Sequence, residues 1–246
     1  MAVLELGSGA IPYSLRRSRR ALRLRVTVRP EGVEVVAPVR ASAAEIREFV
    51  ARHGDWVARK VSALRRTLDD HPGPARLAAG GRILVRGAPV DLRIATGAGA
   101  RIALDWRDGI EVRLPGRLAE DQREAAVEAA LRHWLKQEAR RDAERWAQRH
   151  GPRHGLVPKA LRVKEHKRLW GSCSARGTVN LNWRLILAPE AAFEYVVVHE
   201  LCHLRVRNHQ REFWRLVGEV LPGYEVQRRW LRANGHLLSL RPARLD

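Results

Sequence analysis

The sequence is poor in the features that mark a disulfide-stapled, secreted or membrane-spanning protein. It has two cysteines in 246 residues, too few for a disulfide framework in a chain of this size. Cys173 and Cys202 lack the CxxC spacing of a metal knuckle, so each reads as a small buried residue in a reducing compartment. No stretch approaches the roughly 18 apolar residues of a transmembrane helix. The opening MAVLELGSGAIPYSLRRSRR has no basic region followed by a long apolar core, so no secretory leader is expected. These absences predict a cytoplasmic protein with no membrane partner. A glycine-rich phosphate cradle of the GxxxxGK[ST] type is also missing. Lysine is scarce, with 5 against 41 arginines, and the formal net charge is +19. That balance favours polyanionic partners such as nucleic acid, nucleotides or an anionic membrane surface. Because arginines occur in almost every segment, a solvated surface with a compositional bias explains the charge equally well.

Hydrophobic residues make up 45% of the chain, an ordinary share for a globular protein. The length can bury a sizeable core, as one large domain or two small ones. The most informative stretch is Phe193–Trp214, FEYVVVHELCHLRVRNHQREFW. His199 and His203 are four residues apart, so on a helix they lie one turn above each other and can bind one metal ion. Glu200 follows the first of them, where a carboxylate can stand beside the metal and take a proton from water without being a ligand. HExxH arises by chance in roughly three such chains per hundred, so its setting has to decide. The apolar run Tyr195-Val196-Val197-Val198 predicts a buried helix, and a buried His-Glu-His needs a partner to offset desolvation.

His209 is the candidate third ligand. One straight helix cannot carry all three histidines, because ten residues rise about 15 Å. The chain is expected to fold back through Arg205–Asn208, with a second helix over His209–Val220. Glu212, Glu219 and Glu225 also lie downstream, and some zinc hydrolases take a carboxylate as third ligand. Glu212 alternatively supports His209 from behind. Three protein ligands and an open position suit a catalytic zinc.

The N-terminal half reads as β-rich. Tyr13–Arg29 alternates apolar and basic residues, turns at Pro30-Glu31-Gly32 and returns as Val33–Ala37. Ser42 and Glu45 form a capping box for a helix over Ala43–Leu68, which Gly54 can interrupt. Asp69–Gly81 is rich in Pro and Gly and reads as a linker or loop. Short strands follow at Arg82–Val85, Val90–Ala95, Arg101–Trp106 and Ile110–Leu114, then an amphipathic helix over Asp121–His150. Leu161–Glu165, Arg168–Ser174 and Thr178–Ile186 form a second strand group, with a turn at Ala175-Arg176-Gly177. The helix carrying the histidines begins at Pro189. A last helix over Tyr224–Ala233 is expected to expose Arg228, Arg229 and Arg232.

The segments WGSCSARGTVNLNWRLILAP (Trp170–Pro189), VVVHELCHL (Val196–Leu204), NHQREFW (Asn208–Trp214) and LPGYEVQRRWL (Leu221–Leu231) resemble, in order and spacing, the YgjP-like metallopeptidases. These are a bacterial zincin-type family similar to the SprT-like proteins. The opening YSLRRSRRALRLRVTVRPEGVEVVAPVRAS is similar too, so the resemblance covers nearly the whole chain. It implies an α+β, zincin-like fold with a β-rich N-terminal half, zinc on His199, His203 and His209, and Glu200 as the catalytic residue. It also implies a polypeptide substrate bound extended along an edge strand, placed at Thr178–Ile186. Val206 stands where metzincins have glycine, which argues against their turn. Leu169 stands where the family commonly has Arg, with Arg168 one place earlier.

The expected division is a β-rich subdomain with one long helix over residues 1–118 and a catalytic domain over 119–246. The expected activity is peptide hydrolysis, with His166, Arg168 and Tyr224 as options for an oxyanion donor. The alternatives are a metal-dependent hydrolase of nucleoside triphosphates or other phosphoanhydrides, and a protease associated with nucleic acid.

Overall fold

The computed structural model describes residues 2–6, 9–29, 32–70, 76–166 and 169–240. They divide into two compact units, one within Met1–Pro72 and one within Gly73–Arg241. The division falls in the stretch read as a linker. Residues 118 and 119, where a boundary was expected, lie inside the second unit. Packing is the reason. Ile110, Val112 and Leu114, just before that point, share one buried cluster with Val127, Leu131 and Leu135, just after it. Cutting there would expose apolar surface on both sides.

The first unit holds strands β1 (Ala2–Leu6), β2 (Gly9–Ser18), β3 (Arg25–Arg29) and β4 (Gly32–Pro38), then helices α1 (Ala43–Arg52) and α2 (Gly54–Asp70). The sheet order is β1-β2-β4-β3, with β2 and β4 parallel and both outer pairs antiparallel. The alternating run Tyr13–Arg29 is therefore two strands on opposite sides of β4. Leu22 lies in the connection between them and is 93% exposed. Ser42 and Glu45 form the expected capping box. The helix breaks before Gly54, with His53 as the cap of α1. Val33, Val35, Ile46, Val50, Val57 and Val61 make this unit's core.

The second unit begins with a 3₁₀ turn at Leu77–Ala79, whose first amides donate to the Glu124 carboxylate at 3.0 and 2.9 Å. Strands β5 (Gly81–Val85), β6 (Ala88–Gly97), β7 (Ala103–Trp106) and β8 (Ile110–Pro115) form a sheet of order β5-β6-β8-β7. Helix α3 (Glu120–His154) buries Val127, Leu131, Leu135, Ala139, Ala143 and Trp146, the stripe expected from its spacing. Gly155 ends it in the left-handed conformation.

A third sheet follows, from β9 (Ala160–Lys164), β10 (Gly171–Cys173) and β11 (Thr178–Asn182), in the order β10-β11-β9. After it come a 3₁₀ turn at Trp183–Leu187 and helices α4 (Glu190–Cys202), α5 (Arg211–Val220) and α6 (Tyr224–Asn234). Helices are gathered around strand-rich layers, so the fold is α+β with strands concentrated in the N-terminal half. No helix among the described residues is long and apolar enough to cross a membrane.

Candidate metal centre

Helix α4 is the centre of the second core. Val196, Val197, Val198, Leu201 and Cys202 are all buried, on every side of the helix. Such a helix is held by its surroundings rather than by one apolar stripe. Its N-terminus rests on the β5–β6 hairpin. Arg86 and Gly87 form a two-residue turn with φ of 51° and 80°, the pattern of a type I′ turn. A Cβ at Gly87 would lie 2.8–2.9 Å from three atoms of Pro189, so glycine allows the hairpin to touch the residue that caps α4. The Arg86 amide donates to the Ile186 carbonyl at 2.6 Å. Its guanidinium donates to Asp142 at 2.8 and 3.1 Å and to Glu138 at 2.9 Å. Arg86 thus ties the hairpin to α3 and to the segment leading into α4.

His199 lies in the last turn of α4 and His203 is the residue that caps it. Here the chain turns as expected, but α5 starts at Arg211, so His209 sits on the loop before it rather than opening the helix. That loop is fixed by two bonds. The Trp214 indole donates to the His209 carbonyl at 3.0 Å, and the Gln210 amide donates to the Asn208 side chain at 3.1 Å. His209 Nε2 then stands 3.1 Å from His199 Nε2 and 3.2 Å from His203 Nε2.

This spacing suits one cation. Imidazole nitrogens sharing a tetrahedral zinc at about 2.0–2.1 Å stand about 3.3 Å apart. The hydrogen bonding agrees. His203 Nδ1 faces the Val206 carbonyl at 2.9 Å, and because a carbonyl only accepts, Nδ1 carries the proton and Nε2 a lone pair. His209 Nε2 faces two nitrogens and can donate to at most one. Burial holds His199 far on the neutral side, with its pKa lowered to about 3, and the neighbouring His203, His209 and Arg228 add to the effect. His203 is lowered too, chiefly by burial. Neutral imidazoles converging on one point are what a metal ion requires. Among the described residues these three form the group able to hold one. Glu212 and Glu225 are exposed, Glu219 is paired with Arg215, and none of the three carboxylates belongs to that group.

Glu200 is 5% exposed and lines the same cavity as the histidines. Burial alone raises its pKa, to about 7. Its carboxyl rests against Gly171 of β10. A Cβ there would lie 2.6 Å from Glu200 Cγ and Oε1, which is why the Trp-Gly pair of the sequence needs glycine at its second position. The cavity has a volume of 530 Å³, within the range of small-molecule and peptide sites.

The strand beside the cavity is not the one expected. β11 lies between β10 and β9 and has no free edge. Its run of alternating residues ends at Asn182, and Trp183–Leu187 coils into the 3₁₀ turn. Asn182 is buried, and its amide donates to the His166 and Leu169 carbonyls at 2.9 and 3.0 Å. The free edge facing the cavity belongs to β10, whose Gly171, Ser172 and Cys173 line it. Trp170, Ser172 and Ser174 are the positions that bond across to β11. By the alternation of an antiparallel pair, the backbone groups of Gly171 and Cys173 point outward.

Two of the three expected oxyanion donors are not gathered here. His166 and Tyr224 do not line the cavity, Tyr224 being stacked between Tyr195 and Trp214. Arg168 lies outside the described residues. Tyr195, read as part of an apolar run, does line the cavity, with its pKa pushed up to about 12 by burial. Its spacing of four from His199 was the available signal, since it places both on one helix face. Arg207, Arg228 and Arg232 line the cavity as well; Arg232 is exposed as expected, whereas Arg228 is half-buried.

The YgjP-like metallopeptidase domain model matches residues 22–234. The chain belongs to the YgjP-like family. Its α+β fold is of the zincin-like kind, and the metal ion implied by a YgjP-like metallopeptidase domain has a three-histidine group to hold it. Among solved structures the chain is similar to the metallopeptidase zymogen of Pyrococcus abyssi abylysin, at 25% sequence identity and a TM-score of 0.34. The match covers 39% of this chain and 94% of that one. Comparison with curated proteins returns no match.

Proposed function

We propose that this YgjP-like protein is a zinc-dependent peptidase, with His199, His203 and His209 holding the ion and Glu200 acting as general base. The observation that carries the reading is the convergence of three imidazole nitrogens beside a buried carboxylate, on a cavity bordered by a free strand edge. When bound, zinc supplies a Lewis acid that polarises a carbonyl and makes water a nucleophile near neutral pH. The chain's own residues do the rest. Outward backbone groups of Gly171 and Cys173 can pair with an extended substrate whatever its side chains. Glu200, held in place by the contact with Gly171, accepts the proton of the attacking water and passes it to the leaving amine. The two free cysteines suit a reducing compartment, and we place the activity in the cytoplasm.

The test is peptide hydrolysis by zinc-loaded protein beside Glu200→Gln. The variant should keep its zinc and lose about 10²–10⁴-fold in kcat. Turnover at the wild-type rate in a zinc-loaded Glu200→Gln protein would remove Glu200 from the mechanism.

A further inference from the structure

Resting on the peptidase reading, we infer that Arg228 and Arg232 form a carboxylate-binding subsite beside the metal centre. The enzyme would then select chains carrying a carboxylate close to the bond it cuts, either an acidic side chain or a free C-terminus. Both arginines are on α6, one turn apart and on one face, and both line the cavity that holds His199 and Glu200. Glu200 is the one acidic side chain among the described residues that line this cavity, and its carboxyl rests against Gly171.

The pairing of arginines elsewhere sets these two apart. Along α3, Arg132, Arg140, Arg141 and Arg145 each meet a carboxylate within ion-pair distance. Among the described residues, neither Arg228 nor Arg232 has such a partner. The third cavity arginine, Arg207, is committed, since its guanidinium donates to the Ser174 and Ala175 carbonyls at 2.7 and 3.3 Å. Arg228 is positioned without using its donors, because its guanidinium lies over the Trp214 ring at 3.9 Å. Stacking fixes the plane of the group and leaves its N–H edge for hydrogen bonding. A stacked guanidinium with a second one a helical turn away, in a cleft whose one acidic side chain among the described residues is Glu200, matches a carboxylate in charge and geometry.

Arg228 also backs Trp214, which holds His209, so a fall in rate alone would not separate recognition from support of the metal site. The experiment therefore reads a ratio. Zinc-loaded full-length protein is given a mixed-sequence peptide library in two forms, C-terminally amidated and C-terminally free. Cleaved bonds are mapped by mass spectrometry, for the wild type and for Arg228→Gln/Arg232→Gln. The wild type should favour bonds near Asp or Glu, or bonds near a free C-terminus, by about tenfold over matched neutral sequences. The first preference assigns a side-chain carboxylate, the second a terminal one. In the double variant that ratio should fall to near one, and Arg232→Glu should favour bonds near Lys or Arg. A wild type indifferent to charge, or a double variant that keeps the ratio, overturns the subsite while leaving peptide hydrolysis standing. Cleavage of no peptide at all overturns the peptidase reading and the subsite together.

Discussion

The chain contains two four-stranded sheets of the same design, and among the described residues only the second serves a candidate site. In each, two antiparallel pairs meet through a parallel pair of inner strands, in the orders β1-β2-β4-β3 and β5-β6-β8-β7. In each, the last strand ends in proline, at Pro38 or Pro115, and a helix follows. Among the described residues the difference lies in what the helices pack against. In the first unit the helix breaks at Gly54, and the core closes on Val33, Val35, Ile46, Val50, Val57 and Val61. In the second, α3 runs unbroken for 35 residues, and the Arg86-Gly87 turn of the sheet supports the start of α4. Sheet topology therefore does not create the metal centre. A single strained turn and a long helix do, by fixing the segment that carries His199, Glu200 and His203.

That comparison can be broken most severely at Arg86. Arg86→Ala removes the cation that Asp142 and Glu138 share and leaves them only Arg145 and Arg141, so the cost should be a part of the about 3–5 kcal/mol lost when a buried pair is broken outright. The melting temperature should fall by many degrees, and zinc affinity should weaken because α4 loses its support. An Arg86→Ala protein as stable as the wild type would mean that the turn is incidental. A smaller effect, directed at chemistry, is expected at Gly171. In Gly171→Ala the new methyl displaces the Glu200 carboxyl, and a shift of about 1 Å at a reacting group costs about 10²-fold in rate, so kcat should drop with zinc content unchanged. The control is Gly32, which has a positive φ of 126° but no atom within 4 Å of an added Cβ. Gly32→Ala should cost about 1–2 kcal/mol of backbone strain and leave peptide hydrolysis intact. Equal activity losses at the two glycines would contradict the view that only the second unit carries chemistry.

Much of this was legible in the residues because periodicity and short motifs report local structure well. The α3 stripe, the Ser42–Glu45 box and the His199–Glu200–His203 spacing each depend on neighbours within a few turns. What could not be read is what depends on pairing across the chain. The run Tyr13–Arg29 alternates throughout, yet β4 lies between its two halves, and no local signal gives that crossing. Thr178–Ile186 alternates like an exposed-edge strand, but β10 and β9 occupy both of its sides and leave β10 as the edge. Arg228 looks like part of a solvated face of a terminal helix, and only the position of α6 against α4 brings it, with the exposed Arg232, to the cavity. The boundary expected at 118/119 failed for the same reason, since the core runs from β8 into α3 across it. The α5 start differs by two residues, which moves His209 onto a loop without moving it from the other histidines.

The most direct measurement is zinc content, by elemental analysis of protein purified without chelator, on the wild type beside His209→Ala. The account predicts about one zinc per chain in the wild type, as a three-ligand site requires, and loss or marked weakening of zinc in the variant. No zinc in the wild type would contradict the metal centre itself. Full zinc retained by His209→Ala would contradict the three-histidine arrangement on which the proposed mechanism rests.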